Sequence, residues 1–315
     1  MTVLVTGGAG FVGSRICGAL LDRGERVVAL DNLEPFYPAV IKRGNLEELK
    51  GRRGFEFVRG DIRNTPHLRR LLRESRAGAV LHTAARPGVQ ASLEDPVSTF
   101  DVNARGTLSL LEAMEGSRVE TVVFASSSTV YGRRGSGRRQ FREEDAGAPI
   151  SPYGVSKLAG EHYLRVFSGL RGFRCAALRL FTVYGPRMRP DLGIPTLVSR
   201  AVRGQTIEIY GSPVRDFTHV DDVVAGFMRA LDRGSGVYNI GGGRPVSIRE
   251  VARTVVRLTG SGSRIVARPP RPGDMGYTWA DTSKARRELG WRPRARLERG
   301  LREYIEWFQE EGRWL

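Results

Sequence analysis

Short apolar runs alternate with longer amphipathic stretches through the first half of the chain. The apolar runs have the length of strands and contain few polar positions, which is typical of strands buried on both faces of a parallel sheet. We predict strands over residues 3–5, 26–30, 55–58, 79–82 and 121–125, and helices over residues 13–23, 66–74, 102–114 and 151–170. This alternation predicts βαβ units and an α/β fold of the Rossmann type, with a doubly wound parallel sheet.

The alternation ends near residue 180. Prolines at positions 186, 190, 195 and 213 separate short elements there, and glycine and proline clusters occupy residues 241–243 and 268–273. We therefore predict a Rossmann domain over residues 1–180 and a smaller C-terminal α/β substrate domain over residues 181–315. The two are expected to be partly interleaved, because residues 237–240 have the character of a strand that can return to the first sheet.

A glycine-rich turn, TGGAGFVG at residues 6–13, connects the first predicted strand to the first predicted helix. Glycines let the backbone turn sharply and approach a pyrophosphate at the helix N-terminus. Asp31 ends the second predicted strand, where its carboxylate accepts the hydroxyls of an adenosine ribose and repels a 2′-phosphate. The pattern thus predicts NAD rather than NADP. The residues assigned to the cofactor are Gly7, Gly10, Phe11, Val12, Gly13, Asp31, Asn32, Asp61, Ile62, Ala84 and Lys157.

Asp61 and Ile62 follow the third predicted strand. That position reaches an adenine edge in a site of this kind. A helix cap at Asp61 is the alternative.

A second motif opens the predicted helix over residues 151–170. Ser151 is suited to cap its N-terminus and Pro152 to its first turn. Tyr153 and Lys157 are four residues apart, so both project from one face. A free phenol titrates near pH 10, so a tyrosine base requires a pKa lowered by about three units, or about 4 kcal/mol. A neighbouring ammonium, an oxidised nicotinamide and the helix N-terminus all act in that direction.

The composition adds a strongly basic balance, with 50 Lys and Arg against 34 Asp and Glu and a formal charge of +16. Only four of the basic residues are lysines, and the arginines are spread through nearly every segment rather than gathered in one stripe. The one local cluster, at residues 133–139, has no interleaved aromatic side chains to stack on bases. We predict a solvated loop there and no nucleic acid partner.

The remaining composition excludes several classes of protein. Two cysteines among 315 residues exclude a disulfide scaffold and favour a reducing, cytoplasmic compartment. No apolar run approaches the roughly 18 residues of a membrane span, and residues 1–12 lack the basic segment of a signal peptide. No metal site is predicted.

With these motifs in place, the chain resembles the extended short-chain dehydrogenase/reductase superfamily, and specifically its nucleotide-sugar 4-epimerases. The resemblance covers essentially the whole chain. Beyond the glycine-rich turn, its segments are LHTAA at 81–85, FASSSTVYG at 124–132, YGVSK at 153–157, LFTVYGPR at 180–187, RDFTHVDD at 215–222, RPGD at 271–274 and WAD at 279–281.

The resemblance implies an NAD-dependent 4-epimerase of a UDP-sugar that works through a transient 4-keto intermediate. It assigns the base to Tyr153, the nicotinamide ribose to Lys157, and proton relay at O4 to Ser127. It also implies a homodimer formed through the helices that begin near residues 102 and 151. The residues it assigns to the substrate are Ser128, Thr129, Thr182, Arg189, Arg215, Arg271, Asp274 and Thr278.

Related dehydratases and decarboxylases share the fold and the cofactor, and they are the alternative. Dehydratases carry an acidic pair just before their Val-Tyr-Gly segment, where this chain has Ser128 and Thr129. Inversion at C4 is therefore favoured. A catalytically silent NAD-binding or RNA-binding regulator is the remote alternative.

The identity of the sugar stays open between UDP-glucose/UDP-galactose, UDP-glucuronate/UDP-galacturonate and the UDP-N-acetylhexosamines. In the glucuronate branch, Thr182 and Arg189 would face a C6 carboxylate. Against this branch, Gln90 stands where an arginine is usual, and Arg86 stands where a neutral polar residue is usual. Thr278 falls at the family's size-gating position and leaves room for an N-acetyl group.

Overall fold

The structure, a computed structural model, describes residues 1–132, 139–271, 273 and 275–310. Within these residues the strands are β1 (Thr2–Thr6), β2 (Arg26–Asp31), β3 (Phe55–Arg59), β4 (Ala79–His82), β5 (Thr121–Ser127), β6 (Arg174–Leu180), β7 (Thr182–Tyr184), β8 (Ile207–Tyr210), β9 (Val214–His219), β10 (Gly236–Ile240), β11 (Pro245–Ser247) and β12 (Ile265–Arg268). The helices are α1 (Phe11–Asp22), α2 (Ala39–Glu47), α3 (Thr65–Ser75), α4 (Val89–Glu94), α5 (Pro96–Phe100), α6 (Gly106–Ala113), α7 (Pro152–Arg171), α8 (Gly193–Val202), α9 (Val220–Arg233), α10 (Ile248–Thr259) and α11 (Leu297–Glu310).

Seven parallel strands form the main sheet, in the order β10-β6-β5-β4-β1-β2-β3. The chain builds outward from β1 in both directions, so the order reverses between β1 and β4. In open α/β sheets, ligands bind beyond the carboxyl ends of the strands at such a point. The predicted Rossmann-type sheet is confirmed, and its edge strand β10 returns from the second half of the chain to pair with β6.

Apolar helix faces cover both sides of this sheet. One side buries Ile16 of α1 and Phe227 of α9, and the other buries Leu68 of α3, Leu110 of α6 and Leu164 of α7. Each such side chain contributes about 1.5–3 kcal/mol when it leaves water. Helix α9 and strand β10 follow residue 180 in the chain but belong to this core. Residue 180 is therefore not an edge of the core, and the domain boundary there stays a prediction.

A smaller region follows the main sheet. Its three-stranded sheet has the order β11-β9-β7, and β8 pairs with β12. A third apolar core lies here, between these strands and the helices α8, α10 and α11, and it includes Tyr184, Phe217, Val251 and Leu301.

Two helical segments differ from the sequence prediction. The helix predicted over residues 102–114 begins in a π-helical turn at Asp101–Arg105 and continues as α6, and the short helix α5 precedes that turn. Helix α2 was not predicted, because its apolar positions are few and are mixed with lysine, arginine and glutamate. No helix within the described ranges has an apolar stretch long enough to cross a membrane. Of the basic cluster at residues 133–139, only Arg139 lies among the described residues, so the predicted solvated loop lies outside them.

Candidate active site

A cavity of about 450 Å³ opens at the carboxyl ends of β1, β4 and β5. All eleven residues that the sequence assigned to the cofactor line it. The catalytic candidates Ser127, Tyr153 and Lys157 line the same cavity. The fold therefore brings the two predicted motifs, 140 residues apart in the chain, to one place.

The glycine-rich turn has a shape that side chains would block. Gly7 has a φ of +71° and its N–H donates to the carbonyl of Leu30 at 2.7 Å. A Cβ on Gly13 would lie 2.1 Å from the carbonyl oxygen of Gly7, and one on Gly7 would lie 2.7 Å from the nitrogen of Ala84. Helix α1 begins directly after this turn, so its unpaired N–H groups face the cavity. These residues fit the pyrophosphate of a dinucleotide.

Asp31 lies at the carboxyl end of β2 and is 7% exposed. Its carboxylate accepts the backbone N–H of Leu33 at 2.8 Å and the Nζ of Lys42 at 3.1 Å. Lys42 lies on the unpredicted helix α2 and also lines the cavity. Sequence reasoning did not identify this cation beside the Asp31 carboxylate.

Asp61 follows β3 and is held by a guanidinium. Arg63 donates to it through Nε at 2.9 Å and Nη2 at 2.7 Å, and Asn32 donates through Nδ2 at 3.0 Å. The Arg63 hydrogen bonds lower the pKa of this carboxyl to about 2. The cap of α3 is Asn64, whose side chain accepts the N–H of His67, so the alternative of a helix cap at Asp61 is wrong.

Helix α7 is held to the end of β5 at its two reactive residues. Its N-cap is Ser151, with Pro152 in the first turn, as the sequence predicted. The Nζ of Lys157 donates to the carbonyl of Ala125 at 2.8 Å, and the side chain of Ser127 lies close enough to Tyr153 to act on the pKa of its phenol. Strand β5 and helix α7 thus fix the positions of Tyr153 and Lys157 relative to the hydroxyl of Ser127.

The protein's own groups act on the pKa of Tyr153 in both directions. Burial raises it above its usual value, while the hydrogen bond to Ser127 and the charge of Arg189 act to lower it. Among the protein's own groups, desolvation outweighs these two favourable contacts. The lowering predicted for the site with an oxidised nicotinamide in place stays a prediction. The positive charge of an oxidised nicotinamide would come from the bound cofactor, and it would act to lower the pKa of Tyr153.

Lys157 is 3% exposed, and burial lowers the pKa of its ammonium to about 7, against an opposing effect of Glu161. An unfolded lysine titrates near 10.4. Between about pH 7 and pH 10 the unfolded chain therefore binds more protons than the folded chain, so this group makes the free energy of unfolding rise with pH. Below pH 7 the full cost of the buried charge is present.

Replacing Lys157 with Met is expected to raise the free energy of unfolding more at pH 6 than at pH 9, by about 2 kcal/mol. Urea unfolding of both chains at the two pH values measures the difference. Lys50→Met is the control, because Lys50 is exposed and pairs only with Glu47 among the described residues. An equal effect of Lys157→Met at both pH values would contradict the lowered pKa.

A buried ion pair lies one turn further along α7. Both side chains are 5% exposed, and Arg179 donates to Glu161 through Nε at 2.9 Å and Nη2 at 2.7 Å. Ser126 of β5 also hydrogen bonds to Glu161, and Arg179 donates to the hydroxyl of Tyr131 at 3.1 Å. Sequence reasoning missed this pair, since neither residue belongs to a chemical motif.

The π-helical turn at Asp101–Arg105 carries the buried side chain of Asn103. Its side chain accepts the N–H of Arg86 at 2.7 Å and donates to the Oγ of Ser156 at 3.0 Å, and so ties the loop after β4 to α7. The guanidinium of Arg86 pairs with Glu34 at 3.4 Å and Asp95 at 3.2 Å. A π turn of this kind often accompanies a functional site, but no residue pattern in the sequence distinguished it from ordinary helix.

Part of the predicted substrate set lies at the cavity. Arg189 is 6% exposed, forms a two-pronged pair with Asp191 at 3.0 and 2.6 Å, and stacks on the ring of Phe36 at 5.0 Å. The members of the set that line the cavity are Ser128, Thr129, Thr182 and Arg189.

The other members of that set lie elsewhere or are not described. Arg215 donates to the carbonyl of Val214 within β9, and Arg271 stacks on the ring of Tyr210 at 3.7 Å. Thr278 is 3% exposed and accepts the N–H of Asp216 at 3.1 Å. These three are not among the described residues that line the cavity, and Asp274 lies outside the described residues. The prediction that Thr278 gates the size of the site stays a prediction.

Comparison with known proteins extends these observations to the whole chain. Residues 3–241 match the NAD dependent epimerase/dehydratase family. UDP-glucuronate 4-epimerase of Thermodesulfobacterium geofontis is 37% identical over 311 residues, which cover 98% of this chain and 96% of that protein. UDP-glucuronic acid 4-epimerase from Bacillus cereus, solved with UDP-glucuronic acid and NAD, has a TM-score of 0.93 at 36% identity over 98% of this chain and 99% of its own. dTDP-glucose 4,6-dehydratase from Streptomyces venezuelae, solved with NAD, has a TM-score of 0.92 at 32% identity over 100% of this chain and 98% of its own.

Proposed function

The chain belongs to the NAD-dependent epimerase/dehydratase family, and we propose that within this family it is a UDP-sugar 4-epimerase. The observation that carries the proposal is the distribution of acids and bases in the cavity. Ser127, Tyr153 and Lys157 supply hydroxyl, phenol and amine from β5 and α7. The described carboxylates of the cavity, Asp31, Glu34 and Asp61, come from the end of β2 and the loops after β2 and β3, and each is paired with a cation.

NAD is the cofactor of this family, and the residues of the cavity fit it. The N-terminus of α1 and the glycine-rich turn would hold the pyrophosphate, and Asp31 would hold the adenosine ribose. The buried amine of Lys157 would hold the nicotinamide ribose. When bound, NAD⁺ would supply reversible hydride acceptance at the sugar C4.

The protein's own groups move the proton at O4. Tyr153 takes the proton of the 4-hydroxyl as C4 is oxidised to a ketone, and it gives the proton back when C4 is reduced on the opposite face. Ser127 lines the cavity beside Tyr153, and its hydroxyl is proposed to share a proton with the same oxygen. Because the proton and the hydride both return, the sugar product differs only in the configuration at C4.

Elimination of water is the second candidate, because a dehydratase of this fold is among the similar structures. That reaction moves protons at C5 and C6 and needs an acid and a base beside the tyrosine. The residues in that position, Ser128 and Thr129, carry hydroxyls, which are poor proton carriers near neutral pH. This difference supports inversion over elimination.

The sugar is proposed to be a hexose or its uronate. Thr182 and Arg189 line the cavity, which supports a carboxylate at C6, as does the 37% identity to a UDP-glucuronate 4-epimerase. The pairing of Arg189 with Asp191 neutralises that guanidinium and supports a neutral hexose. A carboxylate substrate would have to compete with Asp191.

The deciding experiment incubates the purified protein separately with UDP-glucose, UDP-glucuronate and UDP-N-acetylglucosamine, and identifies the products by NMR. We expect the C4 isomer of UDP-glucose or UDP-glucuronate at unchanged mass. A product lighter by one water would indicate a dehydratase. Retained NAD with no product from any of the three sugars would support the non-catalytic alternative.

Asp31→Ala is expected to weaken NAD binding at least about tenfold, because a charge-assisted hydrogen bond is lost and Lys42 is left unpaired. The affinity for the UDP-sugar should change less than about twofold. Titration calorimetry with each ligand measures both. Asp232→Ala is the matched control, since Asp232 forms an exposed pair with Arg23. Equal losses of both ligands in the Asp31 variant would overturn the ribose assignment.

We propose that the chain is a homodimer through α5 and α7. Exposed apolar side chains collect on these two packed helices, among them Val97, Phe100, Val166 and Leu170. Exposed clusters of this kind mark association surfaces. Light scattering is expected to give twice the mass of one chain, and Phe100→Asp with Leu170→Asp is expected to give a monomer. Val40→Asp, at an exposed apolar position elsewhere, should leave the dimer intact. A wild-type monomer would refute the interface.

A further inference from the structure

Helix α2 carries a buried cation to the carboxylate at the end of β2. The Nζ of Lys42 lies 3.1 Å from the Oδ1 of Asp31, and the two residues are 8% and 7% exposed. The ring of Tyr37 lies beside the same ammonium, 5.3 Å from Nζ to the ring centroid. All three residues line the cavity. The position of this amine is therefore fixed by an ion pair and an aromatic contact within the cofactor pocket.

The pair changes the electrostatics of the ribose subsite. A carboxylate alone accepts the 2′- and 3′-hydroxyls of an adenosine ribose and repels the phosphate that distinguishes NADP from NAD. Here the ammonium neutralises the carboxylate at hydrogen-bond distance, so the subsite presents a dipole rather than a net negative charge. An ammonium has three donors, and the described contacts direct one of them to Asp31.

We propose that Lys42 is a cofactor-selectivity residue, which binds the ribose edge beside Asp31 and limits how strongly the chain rejects a 2′-phosphate. Asp31 selects the hydroxyls, and Lys42 offers a donor to either a hydroxyl or a phosphate. Selectivity for NAD over NADP is then the balance of these two side chains. The inference depends on the NAD site and not on the reaction at the sugar, so it stands or falls separately from the proposed epimerase activity.

The test measures the dissociation constants of NAD and NADP for the full chain after bound nucleotide is removed, by calorimetry. Lys42→Met is expected to raise the ratio of the NADP to the NAD dissociation constant about tenfold or more, because the unopposed carboxylate then faces the phosphate. Asp31→Asn is expected to lower that ratio about tenfold or more. Adding Lys42→Met to Asp31→Asn should abolish this gain for NADP, since the phosphate then has no ammonium partner.

Lys50→Met is the matched control, because Lys50 lies shortly after α2 with a side chain that is 62% exposed. It should leave both dissociation constants unchanged. Thermal unfolding identifies any variant that is misfolded, and Lys42→Gln, which keeps a hydrogen-bond donor without the charge, then replaces Lys42→Met. A ratio of dissociation constants that stays the same in the folded Lys42 variants, or a gain for NADP in Asp31→Asn that survives loss of Lys42, would overturn the proposal and leave Lys42 a structural partner of Asp31.

Discussion

Tyr153→Phe is expected to lower the rate of C4 inversion about a thousandfold while NAD stays bound. The substitution keeps the ring in place and removes only the phenolic hydroxyl, which is the proposed base. Positioned general bases accelerate reactions about 10²–10⁴-fold. Among the described residues of the cavity, no carboxylate or imidazole lies on β5 or α7 to replace the tyrosine as the base. Turnover of the UDP-sugar by NMR and retained NAD by absorbance give the two measurements.

Tyr163→Phe is the matched control. Tyr163 lies on the same helix, but it packs against the apolar core under the sheet and is remote from the described lining of the cavity. Its loss should change turnover less than about twofold. Unchanged activity in Tyr153→Phe would reject the assigned base, and loss of bound NAD in that variant would mean that the hydroxyl acts in binding.

Arg179→Met is expected to lower the free energy of unfolding by about 3–5 kcal/mol, because it leaves the carboxylate of Glu161 buried without its partner. A loss of this size is comparable to a large part of the stability of a typical domain. The same variant with Glu161→Gln should recover much of the loss, since the carboxylate stranded by the loss of Arg179 is then replaced by a neutral amide. Urea unfolding with a shared m-value measures all three chains.

The control is Arg299→Met, because Arg299 forms an exposed ion pair with Glu303. This substitution is expected to lower the free energy of unfolding by less than about 1 kcal/mol. A double variant that is no more stable than Arg179→Met alone would show that the lost contacts to Tyr131, and not the stranded carboxylate, cause the effect.

The sequence predicted the main sheet because its strands are buried on both faces, and a continuous apolar run such as residues 121–125 reports that burial directly. It predicted α7 because Ser151 and Pro152 signal a helix start locally. The π turn at Asp101–Arg105 was missed because one extra residue in a turn leaves the apolar periodicity of its surroundings almost unchanged.

The residues of the candidate site also divide into those that local sequence patterns predicted and those that they did not. The glycine-rich turn and Asp31 are placed by adjacent strand ends, so local pattern was sufficient to bring them to the cavity. Lys42 depends on how α2 packs after a loop, which no local pattern encodes. The raised pKa of Tyr153 likewise depends on desolvation by the whole fold, whereas the sequence shows only the nearby cation.

The scarcity of lysine in so basic a chain has a practical consequence. Two of its four primary side-chain amines, those of Lys42 and Lys157, line the cavity, while Lys50 is exposed and Lys284 is partly exposed. Acylating reagents that modify amines leave guanidinium groups untouched. Mild acylation followed by mass spectrometry should therefore label Lys50 and Lys284 whether or not a ligand is bound. The extent of labelling at Lys42 and Lys157 should report how much of the cavity is occupied.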